Sequence, residues 1–339
     1  MTLHGVYTQP GAKGLAGLSA WETWTGVRVA QMLDFTGTTT WKHITSWLPW
    51  EAWTKLPAMG KRLELSVAML PDDPGTSLAM CAAGAYNEEW ETLARNLVGC
   101  GLHATVIRPG WEFNGTHYRW TTRSTDPALT AEARAQRAAH LRAEYAESFR
   151  QIVTTMRDVT GQAFRFVWCP MTVIDGRTDY TSAYPGDEYV DVIGVDVYDV
   201  DVSTLRYPYR STVKTDPPTP PTPVEITTAQ DAVWAAHYAG PGGLRRWADM
   251  ARAHGKGFAV DEWGVTFQPP GWGSHGGLDN PRYVDRLLNA ARDHGAEWVN
   301  YFEIDNTQTG VRHALSRPDT LFPRSAERYL ARVGELASR

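Results

Sequence analysis

Two glutamates, Glu112 and Glu262, stand where a carboxyl group could do chemistry. The first lies in Val106-Ile-Arg-Pro-Gly-Trp-Glu-Phe-Asn-Gly115 and the second in Phe258-Ala-Val-Asp-Glu-Trp-Gly264. Each follows a short apolar run and has Trp and Gly beside it, which would set a carboxylate at a pocket mouth against an aromatic wall. Two carboxyls facing each other across a pocket suit cleavage of a glycosidic bond. One protonates the leaving oxygen while the other attacks the anomeric carbon or activates water. The alternative is a structural pair neutralised by Arg108 or Arg119.

The elements that must position these residues are visible as a repeated order: helix, Gly, apolar strand, polar residue. Asn87 to Val98 reads as a helix closed by Gly99 to Gly101 and followed by a strand from His103 to Ile107 that ends at Arg108. Ala131 to Val159 carries Leu141, Tyr145, Phe149, Ile152 and Met156 on one helical face, then Gly161 and a strand over Phe164 to Trp168. Leu244 to Ala253, Gly255 and Phe258 to Val260 form a third copy. The fourth has Asn280 as N-cap, Pro281 at the first helical position, Gly295, and a strand over Trp298 to Phe302. Gly just past a helix supplies the left-handed turn that returns the chain to a parallel sheet. Further strands over Val6 to Thr8, Val27 to Leu33, Leu63 to Met69 and Val190 to Tyr198 bring the count to eight. Eight alternating strands and helices predict an α/β fold, a (β/α)8 TIM barrel, with its site at the C-terminal strand ends. An open doubly wound sheet is the other arrangement this pattern allows. The whole chain, 1–339, is expected to be a single domain with a Pro-rich loop at about 211–226.

Composition narrows the partner. With 33 basic and 38 acidic residues the net charge is −5, and no basic block or basic–aromatic stripe appears. Nucleic acid and anionic membrane are therefore not expected as partners. No apolar stretch approaches a membrane span, and the N-terminus shows no charged, apolar and cleavage-site series. Cys81, Cys100 and Cys169 lack metal or disulfide spacing and read as buried reduced thiols. Ten histidines are scattered without HExxH, so neither a metal nor a cofactor is expected. The 15 Trp, eight of them before position 112, suit a carbohydrate ligand, because indoles stack on apolar sugar faces.

The segment from Arg108 through Trp120 resembles the acid/base motif of glycoside hydrolase family 26, whose usual form is Arg-Pro-x-His-Glu-Met-Asn-Gly followed by an aromatic pair. Tyr184-Pro-Gly-Asp-Glu-Tyr-Val-Asp-Val-Ile-Gly-Val-Asp-Val-Tyr198 is similar to that family's sixth-strand block. Val167-Trp-Cys-Pro170 resembles its fifth-strand end, and Val260-Asp-Glu-Trp-Gly264 its nucleophile strand. The resemblance implies a retaining, chain-internal glycosidase of clan A, with Glu112 as acid/base and Glu262 as nucleophile. By the same resemblance Tyr198 would hydrogen-bond the nucleophile, and Arg108 and Asn114 would support the pocket floor. Two positions depart from the pattern: Trp111 replaces the usual His, and Met171 the usual Asn. Trp cannot accept a hydrogen bond, so the two-carboxylate chemistry stands while the expected substrate widens from mannan to β-linked polysaccharides generally.

Trp111, Trp120, Trp168, Trp263, Trp272 and Tyr301 are further candidates to line the substrate groove, with Asp196 as a hydrogen-bonding partner. Trp41, Trp47, Trp50 and Trp53 fit either an outer wall or a packed helix. Gly271-Trp-Gly-Ser-His-Gly276 matches GxGxxG but follows two prolines and opens no helix, so it is not read as a dinucleotide site. Asn114-Gly-Thr116 satisfies a glycosylation pattern inside the catalytic loop, where a glycan would block substrate. A non-catalytic carbohydrate-binding barrel and a transglycosylase remain the alternative functions. A polymeric substrate would place the protein outside cells, and a monomer suffices for chain-internal cleavage.

Overall fold

The computed structural model describes residues 2–173, 180–201, 207–208, 221–269 and 275–337. Its strands are β1 (Leu3–Tyr7), β2 (Gln31–Phe35), β3 (Arg62–Val67), β4 (Val106–Pro109), β5 (Arg165–Trp168), β6 (Val192–Ile193), β7 (Asp196–Tyr198), β8 (Gly257–Phe258), β9 (Val260–Gly264) and β10 (Trp298–Phe302). All pair in parallel, in the order β7-β9-β10-β1-β2-β3-β4-β5-β6-β8. The two ends of that order belong together. β6 and β7 are halves of the expected sixth strand, and β8 and β9 halves of the seventh, so β6–β8 and β7–β9 are successive stretches of one seam. The sheet closes on itself as a (β/α)8 barrel, as the repeated pattern predicts.

The helices fall close to their expected places, at Asn87–Gly99, Ala131–Arg157, Leu244–Ala253 and Pro281–Asp293. The Asn280 side chain accepts from the Tyr283 amide, and Gly101, Gly161, Gly255 and Gly295 all take positive φ. Differences are local. The strand expected from Val27 begins at Gln31, and the one expected from His103 begins at Val106. The Pro-rich stretch is also shorter than expected at its end. Thr222 and Glu225 form a capping box with Pro223 in the first turn, so residues 223–226 open the helix Pro223–Ala239. Residues 211–220 lie outside the described residues.

The barrel interior is built in polar layers. Gln31, Glu64 and Asn300 form one, with Gln31 Nε2 donating to Glu64 Oε2 at 2.6 Å and to Asn300 Oδ1 at 2.8 Å, and Asn300 Nδ2 donating to Glu64 Oε2 at 2.7 Å. Asp261 meets this layer and accepts from Trp298 Nε1 at 2.9 Å. Two residues further along β3 and β4, Ser66 and Arg108 begin the layer above. The crowding explains a glycine: a Cβ at Gly194 would lie 1.6 Å from Asp261 Oδ2.

The three cysteines are free; Cys81 and Cys169 are buried and Cys100 half-buried. No described helix is long and apolar enough to cross a membrane. Gly194→Ala is expected to lower stability by about 2–3 kcal/mol, the cost of overpacking a closed interior. Urea unfolding checks this, and an unchanged midpoint would mean that β6–β7 relaxes freely around Asp261.

Candidate active site

Glu112 and Glu262 open onto the same pocket. It has a volume of about 410 Å³ and its walls include Tyr7, Tyr198, Gln268, Phe302, Asn306 and His313. Glu262 comes from β9, where the register with β10 shifts between Val299 and Tyr301. At this irregularity the consecutive residues Asp261 and Glu262 both reach interior partners. Glu112 lies three residues beyond β4 in a tight turn, with φ of 51°, its amide donating to the Cys169 carbonyl at 2.9 Å. Such a backbone conformation is uncommon outside glycine and is held here by the surrounding contacts. Gly110 at φ of 59° makes the turn possible, since Met69 and Tyr145 leave no room for a Cβ.

The two carboxyls have unlike surroundings. Glu262 Oε2 accepts from the Tyr198 hydroxyl at 2.7 Å, and its Oε1 from the Arg108 guanidinium. Both donors favour a carboxylate. Glu112 receives no hydrogen bond at its carboxyl from the described residues. Burial, and then the charge of Glu262, push its pKa up to about 8, against a smaller opposing pull from Arg108. Burial, and then Glu262, also push the Tyr198 phenol well above its ordinary range, so it remains a donor. The site therefore pairs a carboxyl held by two donors with one that has none from the described residues and whose pKa is raised.

Arg108 holds the floor together. It donates to Ser66 at 3.0 and 2.6 Å, to both Asp196 oxygens at 2.8 Å, and to Glu262. The ion pair with Arg108 that might have made Glu262 purely structural is present, yet Glu262 still lines the open pocket; Arg119 instead donates to the Thr76 carbonyl. Cys169, Asp196 and Asp261 bring potential ligand atoms within 4.8 Å of one another. The cation supplied beside them is Arg108 itself, 3.6 Å from Cys169 Sγ.

Several expected substrate contacts are corrected by burial. Arg108 and Asp196 are enclosed beneath the pocket, where Arg108 donates to both Asp196 and Glu262. Asn114 is buried and exchanges 2.9 Å hydrogen bonds with the Met171 backbone, joining the β4 and β5 loops; this also removes it as a glycan acceptor. Trp120 is buried, stacked on Tyr118, and donates to the Trp111 carbonyl. Trp168 packs among Phe113, Tyr184 and Trp247, while Trp263 and Tyr301 pack together against Tyr329. These three are core residues because apolar burial of a large ring outweighs its availability as a platform. Trp111 is also largely buried, bonded through Nε1 to the Tyr118 hydroxyl at 3.0 Å. Tyr198 does line the pocket. Trp41, Trp50 and Trp53 pack as helix residues, leaving Trp47 exposed. Trp272 lies outside the described residues.

Residues that the sequence did not single out complete the walls. Tyr7 and Phe302 come from neighbouring strands β1 and β10, and His313 from the segment that follows; an apolar strand residue carries no sign of which barrel end it faces. Glu303 turns away to anchor Leu315 and Ser316 through their amides.

Residues 99–231 match the family model described as Glycosyl hydrolase family 26. Over 128 residues the chain is 33% identical to a mannan endo-1,4-beta-mannosidase of Bifidobacterium adolescentis, an alignment covering 36% of this chain and 11% of that protein. The chain thus spans about a tenth of that curated relative's length. An endo-beta-1,4-mannanase double mutant of Cellulomonas fimi superposes with a TM-score of 0.59 at 20% identity, covering 97% of this chain and 70% of that one. A beta-mannanase of Bacteroides ovatus gives 0.52 at 16% identity, covering 97% and 87%. At such identities the structural likeness establishes the barrel. The matched sequence block adds a likeness to the glycoside hydrolases over residues 99–231. Within that class the chain is related to family 26, as the motif around Glu112 predicts. Glu262 falls outside the matched block, so its place in the site rests on geometry.

Arg108→Met should destabilise the protein by about 3–5 kcal/mol, because Asp196 and Glu262 would lose their buried countercharge. Chemical denaturation measures this; wild-type stability would show that the two carboxyls are neutral without Arg108.

Proposed function

We propose that the chain cleaves a β-linked polysaccharide of the mannan type within its length, with retention of anomeric configuration. Glu262 is the nucleophile and Glu112 the acid/base. The observation that carries this reading is the pair of carboxyls lining one pocket in unlike surroundings, Glu262 accepting from Tyr198 and Arg108 while burial and Glu262 raise the pKa of Glu112. In the first step Glu262 attacks the anomeric carbon as Glu112 gives its proton to the leaving glycosidic oxygen. The glycosidic bond breaks and a glycosyl ester forms on Glu262. The ester carries no charge, so the repulsion that adds to burial in holding the proton on Glu112 is gone and its carboxylate becomes less unfavourable. That carboxylate then takes a proton from water as the water oxygen attacks the anomeric carbon and releases Glu262.

The choice of mannan is supported by the activities named for the similar proteins of Bifidobacterium adolescentis and Cellulomonas fimi. The open pocket suits an occupant that continues beyond the cleavage point.

Reducing-sugar release from β-mannan, mixed-linkage glucan, xylan and arabinogalactan tests the reading. Wild type is expected to act on mannan, with Glu112→Ala and Glu262→Ala each slower by about a thousandfold or more. Wild-type rates in either variant would overturn the residue assignment, and silence of the wild type on every polymer would favour a carbohydrate-binding role. Proton NMR should find the first-formed anomer retained; an inverted anomer would overturn the double displacement.

The pH profile follows from Glu112. The group must be protonated to donate, so kcat/KM should fall as pH rises through about 8. A basic limb set by Glu112 should disappear for a dinitrophenyl glycoside, whose leaving group needs no proton.

A further inference from the structure

His117 is a side chain that this reading leaves unused. Its Nε2 lies 3.7 Å from Glu112 Oε2, and its side chain is 54% exposed at the rim of the loop that carries Glu112. It is the basic group within 4 Å of a carboxyl that receives no hydrogen bond from the described residues. The imidazole is folded back over Gly115, where an added Cβ would meet Nε2 at 2.8 Å and Met171 Sδ at 3.1 Å. Gly115 itself closes the turn by donating its amide to the Glu112 carbonyl at 2.8 Å. Tyr118 meets the ring edge to face at 5.6 Å between centroids. The same short loop thus fixes both the carboxyl and the ring.

Resting on the glycosidase reading above, we infer that His117 is a positioning residue for the second half of the reaction, donating Nε2–H to the Glu112 carboxylate once its proton has left. In the free enzyme Glu112 is protonated and the 3.7 Å gap exceeds a hydrogen bond. After the glycosyl ester forms, Glu112 is a carboxylate and gains an acceptor pair facing the imidazole. A modest rotation of either side chain closes the gap. The contact orients the carboxylate toward the attacking water without taking a proton from it. The proton balance is unchanged: water's proton goes to Glu112, and His117 keeps its own throughout.

The imidazole's surroundings favour this neutral donor. Burial, and then the charge of Arg123, lower the His117 pKa from its ordinary value, whereas Glu112 is the acidic group facing it. A neutral imidazole with its proton on Nε2 supplies a hydrogen bond without adding a fixed positive charge that would deprotonate Glu112 before the first step. His117 accordingly separates two demands on one carboxyl. It leaves the acid form alone and supports the base form.

The two chemical steps can be measured apart with 2,4-dinitrophenyl β-mannobioside. Its leaving group departs without acid help, so the burst of dinitrophenolate reports ester formation and the following steady rate reports ester hydrolysis. His117→Ala should keep the wild-type burst rate within about twofold and slow the steady phase about tenfold. His117→Gln, which retains an N–H donor but does not titrate, should recover most of that loss. Azide, a nucleophile needing no base, should restore turnover in His117→Ala and yield the β-glycosyl azide. Gly115→Ala, which displaces the ring while keeping it, should resemble His117→Ala.

Equal steady rates in wild type and His117→Ala would overturn the inference, as would a loss in His117→Ala confined to the burst. Failure of His117→Gln to recover the rate would likewise overturn a hydrogen-bonding role. A wild type that neither bursts nor turns over would instead overturn the mannan-directed glycosidase reading on which it rests. Wild-type turnover that persists in Glu262→Ala would overturn the assigned nucleophile.

Discussion

The buried guanidinium of Arg108 is the constraint on which the rest of the site depends. A cation wholly withdrawn from water must be met by anions and acceptors, and here they come from three other strands. Ser66 on β3, Asp196 on β7 and Glu262 on β9 each meet it. The aromatic faces of Phe35 and Trp111 stand 5.6 and 5.8 Å from its central carbon. These partners are linked by register as well as by charge: Ser66 lies opposite Arg108, and Asp196 opposite Glu262. A one-residue slip in either pair would turn a partner out of the interior. The contact that orients the Glu262 carboxylate is therefore also one that specifies how the barrel closes.

Below this layer, polarity continues through Glu64 and Asp261. Both carboxyl pKa values are raised, first by burial; for Glu64 the next contribution is the charge of Asp261. The two carboxyls share this space through hydrogen bonds from Gln31 and Asn300 to Glu64 and from Trp298 to Asp261. The hydrogen bonds of Arg108 to carboxyls run upward, to Asp196 and Glu262. Gly5 and Gly194 give the layer its room, with no space for a Cβ against Asn300 and Asp261 respectively.

Much of this was legible in the sequence, for identifiable reasons. Helices followed by Gly and a short apolar run have a local physical cause, so the alternation and its eight strands could be read. The two glutamates were legible because each ends such a run. What escaped was the direction of side chains. Trp168, Trp263 and Tyr301 occupy strand positions next to catalytic-end motifs, but alternate residues of a barrel strand face opposite sides. Aromatic type alone does not tell a sugar platform from a ring packed between sheet and helices. Arg108 and Asp196 were found, yet their burial was not, since only tertiary structure shows that each neutralises the other. His117 carried no signal because its approach to Glu112 depends on a turn through Gly115.

The aromatic richness that suggests sugar stacking does different work in the structure. Trp111 packs on Phe35, Tyr118 and Trp120 directly behind Glu112, and its one polar atom is already bonded to Tyr118. Among the described residues these rings give Glu112 no hydrogen bond. Burial is accordingly the first cause of the raised Glu112 pKa, ahead of Glu262. A histidine at position 111 would introduce a polar group where the chain has a dry wall. Arg108 opposes both causes but by less than either. Under the mechanism we propose, an ester on Glu262 would remove the second of the two causes that raise the Glu112 pKa and leave burial, so the same carboxyl would hold its proton less tightly in the second step than in the first.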